Sequence, residues 1–301
     1  MAQQLIRSAA VVGTGLIGTS IALALQDQGI TPYLIDANPE AARTAAGLGA
    51  GVVGRPRVPV DLAVIAVPPQ RVAASLRKHQ SGRLAHDFTD VSSVKVRPQE
   101  EAAELGCDLV RFVGGHPMAG RERSGPLAAQ VDLFRGRPWV LTPTETTGDR
   151  AVGRTRALAE LCGARPVVMD AAQHDRAVAL VSHTPHLIAS ILSGRLLRGE
   201  DSHLQLAGQG LRDATRIAGG DADLWTDILS SNAAAVAEVL TDLVLDLDAA
   251  VDALRELAKN PSEPGLAGLS HLKDVLVRGA RGRGLIQEGA PGGPSGMAVG
   301  A

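Results

Sequence analysis

One stretch near the start of the chain limits its fold more than any other: Ser8-Ala-Ala-Val-Val12, then Gly13-Thr-Gly15-Leu-Ile-Gly18. A short apolar run ends in spaced glycines, and residues 16–28 follow with helical spacing up to Gly29, which suits a helix stop. Strand, tight turn and helix in that order open a doubly wound α/β sheet. The alternation continues. Apolar strand runs at 32–36, 62–67, 87–91, 112–114, 139–141 and 165–169 are separated by helical patterns at 40–48, 72–78, 98–105 and 150–162. The run at 62–67 is apolar at every position, as a strand buried on both faces must be. Residues 1–170 are thus expected to form a Rossmann-type doubly wound domain.

Beyond residue 170 only helical patterns appear. Residues 171–180 lead into Ser182-His183-Thr-Pro185-His186, which continues to 197; further helices are expected at 204–218, 223–257 and 269–278. In the long one Val236, Leu240, Leu243, Leu247, Val251 and Leu254 recur every three or four residues, an apolar stripe that demands a partner surface. The expectation for 171–281 is an all-helical domain that makes a homodimer. The Gly- and Pro-rich stretch 282–301 is expected to be a disordered tail.

Composition excludes several classes of function. With 30 Lys+Arg against 32 Asp+Glu the net charge is -2, so no basic surplus offers itself to nucleic acid. Apolar residues make up 45% of the 301, enough for a full core, yet only 2% are aromatic. That core must rest on close backbone packing, and stacking platforms for bases are scarce. The most apolar stretches, 177–197 and 233–251, contain His, Pro or several Asp, so no membrane-spanning helix is expected. Cys107 and Cys162 form no CxxC, and no signal-peptide pattern opens the sequence, which suggests a cytoplasmic protein.

The glycine motif carries chemistry as well as shape. Gly13 would make the tight turn, Gly15 would admit a pyrophosphate to the backbone, and Gly18 would let helix and strand approach. Leu16 and Ile17 would present the helix N-terminus to the anion. A plain glycine turn is the alternative. Asp36 ends the next strand, 18 residues after Gly18, where a carboxylate can accept from the adenosine ribose and repel a 2′-phosphate. No Arg or Lys follows it until Arg43, which points to NAD rather than NADP. Val67 and Pro68 fit the wall of such a pocket, although a simple turn explains them equally.

Two segments after strand ends carry unusual polar groups: Asp90-Val-Ser-Ser93-Val-Lys95 and Gly114-Gly-His116-Pro-Met-Ala-Gly120. His116, held between glycine and proline, is a natural acceptor for a hydroxyl proton during hydride removal; a hydrogen-bonded loop histidine is the alternative. Arg212 and Arg216, spaced i, i+4, share a helix face and could hold a carboxylate or simply be solvated. His174, His183 and His186 could gather at a metal, but Pro185 interrupts them and no HExxH occurs, so none is expected. There is no G-x-S-x-G elbow.

Taken together, GTGLIG, DVSSVK, VGGHPMAG with Ser124-Gly125, HDRAVALVSHTPH and GLRDATRIAGGDADLWTDI resemble, in order over residues 9–279, the prephenate/arogenate dehydrogenase family of tyrosine biosynthesis. The resemblance implies an NAD-binding domain, a helical dimerisation domain and the oxidative decarboxylation of prephenate to 4-hydroxyphenylpyruvate. The alternatives are arogenate and, in a specialised paralogue, 4-amino-4-deoxyprephenate. Carried over, His116 would bind and polarise the 4-hydroxyl with Ser93 assisting, and Arg216 would bind a substrate carboxylate. His183 and His186 would line the pocket, and Arg212 would be structural, paired with Asp213. A β-hydroxyacid dehydrogenase would need a lysine in the helical half, and none lies between Lys95 and Lys259. A non-enzymatic NAD sensor would not need His116, Ser93 and Arg216 together.

Overall fold

The computed structural model describes residues 5–120, 123–259 and 266–287. Its strands are β1 (Ala9–Val12), β2 (Tyr33–Ile35), β3 (Val52–Val53), β4 (Val60–Ile65), β5 (Ala85–Asp90), β6 (Phe112–Pro117), β7 (Pro138–Thr142) and β8 (Arg165–Val168). They form one sheet in the order β3-β2-β1-β4-β5-β6-β7-β8. Among the described residues only the β6–β7 pairing is antiparallel. The order 3-2-1-4-5-6 is that of a dinucleotide-binding sheet. Strand β3 has no counterpart in the sequence reading, because two exposed valines give no periodicity to detect.

Alternation along β1 shows why its run is wholly apolar. Ala9 and Val11 join Ile21, Leu25 and Leu158 in one core, whereas Ala10 and Val12 join Val72, Leu76 and Phe88 in the other. Helices α1 (Leu16–Asp27) and α5 (Asp149–Leu161) supply the first core, and α3 (Val72–Ser81) and α4 (Val96–Glu104) the second; α2 (Pro39–Gly47) adds Ala45 to the first. A fully buried leucine such as Leu25 contributes roughly 1.5–3 kcal/mol. At Gly13 φ is +97°, and a Cβ there would run into the carbonyl oxygen of Ala66, so this turn accepts only glycine.

In the helical half, α6 (Ala171–Val178), a π-turn (Ala179–His183) and α7 (Thr184–Leu196) make one continuous run. Asp170 caps its start, accepting from Ala172 and Gln173 N–H. Pro185 cannot donate to the carbonyl four residues back, and the wide turn falls just before it. By length and composition alone Ala171–Leu196 is apolar enough to cross a membrane, with a mean hydropathy of 1.3 in its most apolar window. The same run, however, buries His174, Asp175, His183 and His186, and Asp175 is bonded to the sheet-bearing half. A third of that apolar window is buried.

The later helices differ from their predicted bounds. Residues 204–218 break into α8 (Asp201–Leu204), α9 (Gln209–Thr215) and a 3₁₀ turn (Arg216–Gly219). The helix expected over 223–257 is two, α10 (Ala222–Ser231) and α11 (Ala233–Lys259), bent by 91° at Asn232. Helix α12 (Leu266–Gln287) runs through Gly279, Gly282 and Gly284, so residues 282–287 are helical where a tail was expected. Residues 288–301 lie outside the described residues. By packing the chain divides into Met1–Ala237 and Glu238–Ala301.

Candidate active site

The carboxyl ends of β1, β4 and β5 converge on a cavity of about 600 Å³ lined by Gly15, Leu16, Ile17, Gly18, Val67, Pro68 and Ser93, with His183 and Trp225 from the helices. Ligands of open α/β sheets bind at this edge. At the cavity's glycine end, α1 starts at Gly15 with no side-chain cap and no acidic residue in its first turn. A Cβ on Gly15 would meet nothing within 4 Å, so this backbone is open to a ligand. Free N–H groups and the positive end of the helix dipole suit a pyrophosphate. Asp36 is fixed alongside: Oδ2 accepts from Thr14 N–H at 2.6 Å and from the Thr14 hydroxyl at 2.8 Å, and Oδ1 accepts from Asn38 N–H at 2.8 Å. Gly13 stands beneath, its N–H donating to Ile35.

The polar centre is a chain of three buried or partly buried side chains. His116 Nδ1 lies 2.8 Å from His174 Nε2, and His174 Nδ1 lies 2.7 Å from Asp175 Oδ1. Asp175 also accepts Lys95 N–H at 2.8 Å and Val96 N–H at 2.9 Å, and so caps α4 from another part of the chain. With both rings neutral, these bonds assign the protons. A carboxylate that accepts two amide hydrogens must also accept from His174 Nδ1. His174 Nε2 is then an acceptor, His116 Nδ1 its donor, and His116 Nε2 keeps a lone pair. Burial, followed by the charges of His174, Lys95 and His183, holds His116 well below the usual histidine range.

Beneath this chain Lys95 is 1% exposed; its Nζ donates to Asp90 Oδ2 at 2.5 Å and to Gly115 C=O at 2.6 Å. Asp90 accepts from Gly115 N–H through its other oxygen at 2.9 Å. Burial pulls the Lys95 ammonium below its ordinary value, and Asp90 opposes that. This pair therefore fixes the backbone that carries His116.

The helical run supplies the far wall. His186 is buried and stacks on Trp225 with ring centroids 3.5 Å apart and planes 11° apart. His183 meets the edge of Trp225 at 6.3 Å, and burial lowers it to about 4. Asn232 Nδ2 donates to Asp175 C=O at 2.8 Å and lies 3.1 Å from His183 Nδ1. Ser93 Oγ and His183 Nε2 are buried without a partner among the described residues.

Of the sequence-predicted site residues, Gly15, Leu16, Ile17, Gly18, Val67, Pro68, Ser93 and His183 line one cavity. His116 lies two residues before cavity-lining Met118, and His186 touches it through Trp225. Arg216 is exposed on the 3₁₀ turn and is not among the lining residues. Asp213 accepts from Gln209 Nε2 at 2.8 Å. The sequence reading gave no role to Lys95, Asp175, Trp225 or Asn232. It weighed His174 only as a metal ligand, although the adjacent His174-Asp175 pair was the available signal. Among the described residues no group of three His, Cys, Asp or Glu is placed to hold a metal.

Comparison with known proteins agrees with this architecture. Residues 21–168 match the family model "Prephenate dehydrogenase, nucleotide-binding domain", and residues 170–269 match "Prephenate dehydrogenase, dimerization domain". Probable prephenate dehydrogenase NovF of Streptomyces niveus is 46% identical over 253 residues, 84% of this chain and 70% of that protein. Prephenate dehydrogenase of Bacillus subtilis is 31% identical over 255 residues, 79% of this chain and 67% of its own. Among solved structures, Aquifex aeolicus prephenate dehydrogenase in complex with hydroxyphenyl propionate and NAD+ superposes with a TM-score of 0.78 at 28% identity, covering 92% of this chain and 98% of that one. With both family models in sequence order and the glycine turn and histidine chain at one sheet edge, this chain belongs to the prephenate dehydrogenase family.

Proposed function

We propose that the protein oxidises and decarboxylates prephenate to 4-hydroxyphenylpyruvate, with NAD, as a cytoplasmic homodimer. Residues 1–170 would hold the cofactor and 171–281 the substrate side and the dimer contact. The observation that carries the reading is the hydrogen-bonded chain from Asp175 through His174 to His116, which with neutral rings leaves the lone pair on His116 Nε2. Bound NAD supplies the hydride acceptor. Gly15, the N-terminus of α1 and Asp36 fit its pyrophosphate and adenosine ribose. His116 accepts from the substrate's 4-hydroxyl as carbonyl character grows at C4, and returns the proton to the oxygen as the phenol forms. The ring carboxylate leaves as CO2, and its bonding pair completes the aromatic ring. Ser93, with an unpartnered hydroxyl at the cavity wall, orients the same oxygen. Arg216, on a turn packed against α7, would bind a substrate carboxylate from outside the lining already described. His186, stacked on Trp225, forms the flat wall beside the ring. The exposed Leu245, Leu247 and Leu254 of α11 supply an apolar face for a second copy.

NADH formation by the purified protein tests the reading, with prephenate and arogenate side by side. Turnover of prephenate is expected, and silence on both overturns it. The acid limb of kcat/KM should lie well below 6.5, because His116 acts only when neutral and its pKa is lowered. Activity is thus present through neutral pH and lost only as pH falls through that lowered value. A limb at or above 6.5 would contradict a buried His116 base. Asp36→Ala should raise KM for NAD about 10-fold, since one charge-assisted acceptor of a ribose hydroxyl is lost, and narrow the preference over NADP. Paired cofactor titrations check this.

A further inference from the structure

Asn232 stands at the 91° bend between α10 and α11, 6% exposed, with its amide turned inward. Its nitrogen faces two groups at once. The first, the carbonyl oxygen of Asp175 at 2.8 Å, can only accept, which fixes which end of the amide is the donor. The second hydrogen of the same nitrogen points at His183 Nδ1, 3.1 Å away. His183 Nδ1 must then carry the lone pair, and the proton of the neutral ring resides on Nε2. Nε2 is buried without a hydrogen-bond partner among the described residues, on a ring that is 1% exposed and lines the cavity. A buried N–H with no acceptor is costly until a ligand supplies one.

We propose that Asn232 is a positioning residue that holds His183 as an Nε2–H donor, and that through this donor the cavity selects a substrate whose side chain offers a keto oxygen over one bearing an ammonium at the same carbon. The inference rests on the functional reading above and deepens it. The two substrates of that reading differ at one atom: a ketone oxygen accepts a hydrogen bond, whereas an ammonium has three hydrogens and no lone pair. An N–H facing an ammonium leaves two buried donors unsatisfied and a charge unpaired. A site built to hydrogen-bond one partner rejects the analogue that lacks it more strongly than an apolar pocket can. The same amide also holds the Asp175 carbonyl, so a single side chain aligns the base chain and the selecting histidine.

The test has two readouts on the NAD-loaded protein. A long-range ¹H–¹⁵N correlation spectrum of histidine-labelled protein, with the His183 signal assigned by its loss in His183→Gln, reads the tautomer without reference to activity. The expected result is Nε2–H in the wild type and a shift to Nδ1–H in Asn232→Asp, whose carboxylate can only accept. The ratio of kcat/KM for prephenate to that for arogenate should fall by about 10-fold in Asn232→Asp, chiefly through KM for prephenate, because one directed donor is lost. Asn232→Ser, whose hydroxyl can donate or accept, should move the ratio in the same direction by a smaller factor and serves if the Asp variant does not fold. A wild-type His183 protonated on Nδ1 overturns the proposal, and so does a variant whose tautomer changes while the substrate ratio stays constant. If wild type turns over neither substrate, the functional reading fails, and the spectrum still decides whether Asn232 sets the tautomer.

Discussion

His116→Gln should lower kcat by about 10²–10⁴-fold, the usual worth of a positioned general base, while KM for NAD stays near its wild-type value. Glutamine is the informative replacement. Its amide can still donate to His174 Nε2, so the chain from Asp175 keeps its end partner and the fold is preserved. What it cannot do is take a proton. An imidazole with a lone pair on Nε2 is basic at neutral pH; a carboxamide is not. His174→Gln should show a smaller loss, because it leaves the base in place and removes only the group that orients it and stabilises its charged form. Steady-state rates at saturating prephenate and NAD check both variants. A His116→Gln enzyme within 10-fold of wild type would remove His116 from the chemistry.

Asp90→Ala should destabilise the protein by about 3–5 kcal/mol, as expected when one partner of a buried ion pair is removed. The Lys95 ammonium would be left in the interior with only the Gly115 carbonyl, and Gly115 N–H would lose its acceptor. For a unit of this size the melting temperature should fall by roughly 6–20 °C. The double variant Asp90→Leu/Lys95→Met should be less destabilised than Asp90→Ala, because removing both charges leaves no unpaired ion. Calorimetry on the three proteins decides the matter. A single variant melting within 2 °C of wild type, by the same scaling about 1 kcal/mol or less, would show that water reaches the pair.

The sheet was legible because its signals are local. An apolar run buried on both faces, a glycine turn with no room for a Cβ and an Asp at the next strand end each lie within a few residues, and each is where the sequence placed it. The glycine and Ser93 ends of the site were legible for the same reason. What escaped depends on tertiary contact. The bend at Asn232 follows from an inward-turned amide whose partners are 57 and 49 residues away, and no helical periodicity encodes that. Asp175 drew no role from the sequence, because the helix it caps, α4, lies 80 residues away. Arg216 was singled out by its motif, but the break of 204–218 into shorter turns left it outside the lining.

The distances along the chain between bonded groups at the centre also bear on how the molecule is made. His116 and His174 are 58 residues apart, Lys95 and Asp175 are 80 apart, and Asp175 and Asn232 are 57 apart. Closing such loops costs entropy that only a preformed surface offsets, so contacts of this span form after the local strand–helix units have docked. A nascent chain that has emerged as far as β8 can complete its sheet while still lacking His174, Asp175, His183 and Asn232. Catalytic competence is then the last property the polypeptide acquires, and regain of turnover during refolding should trail regain of sheet signal.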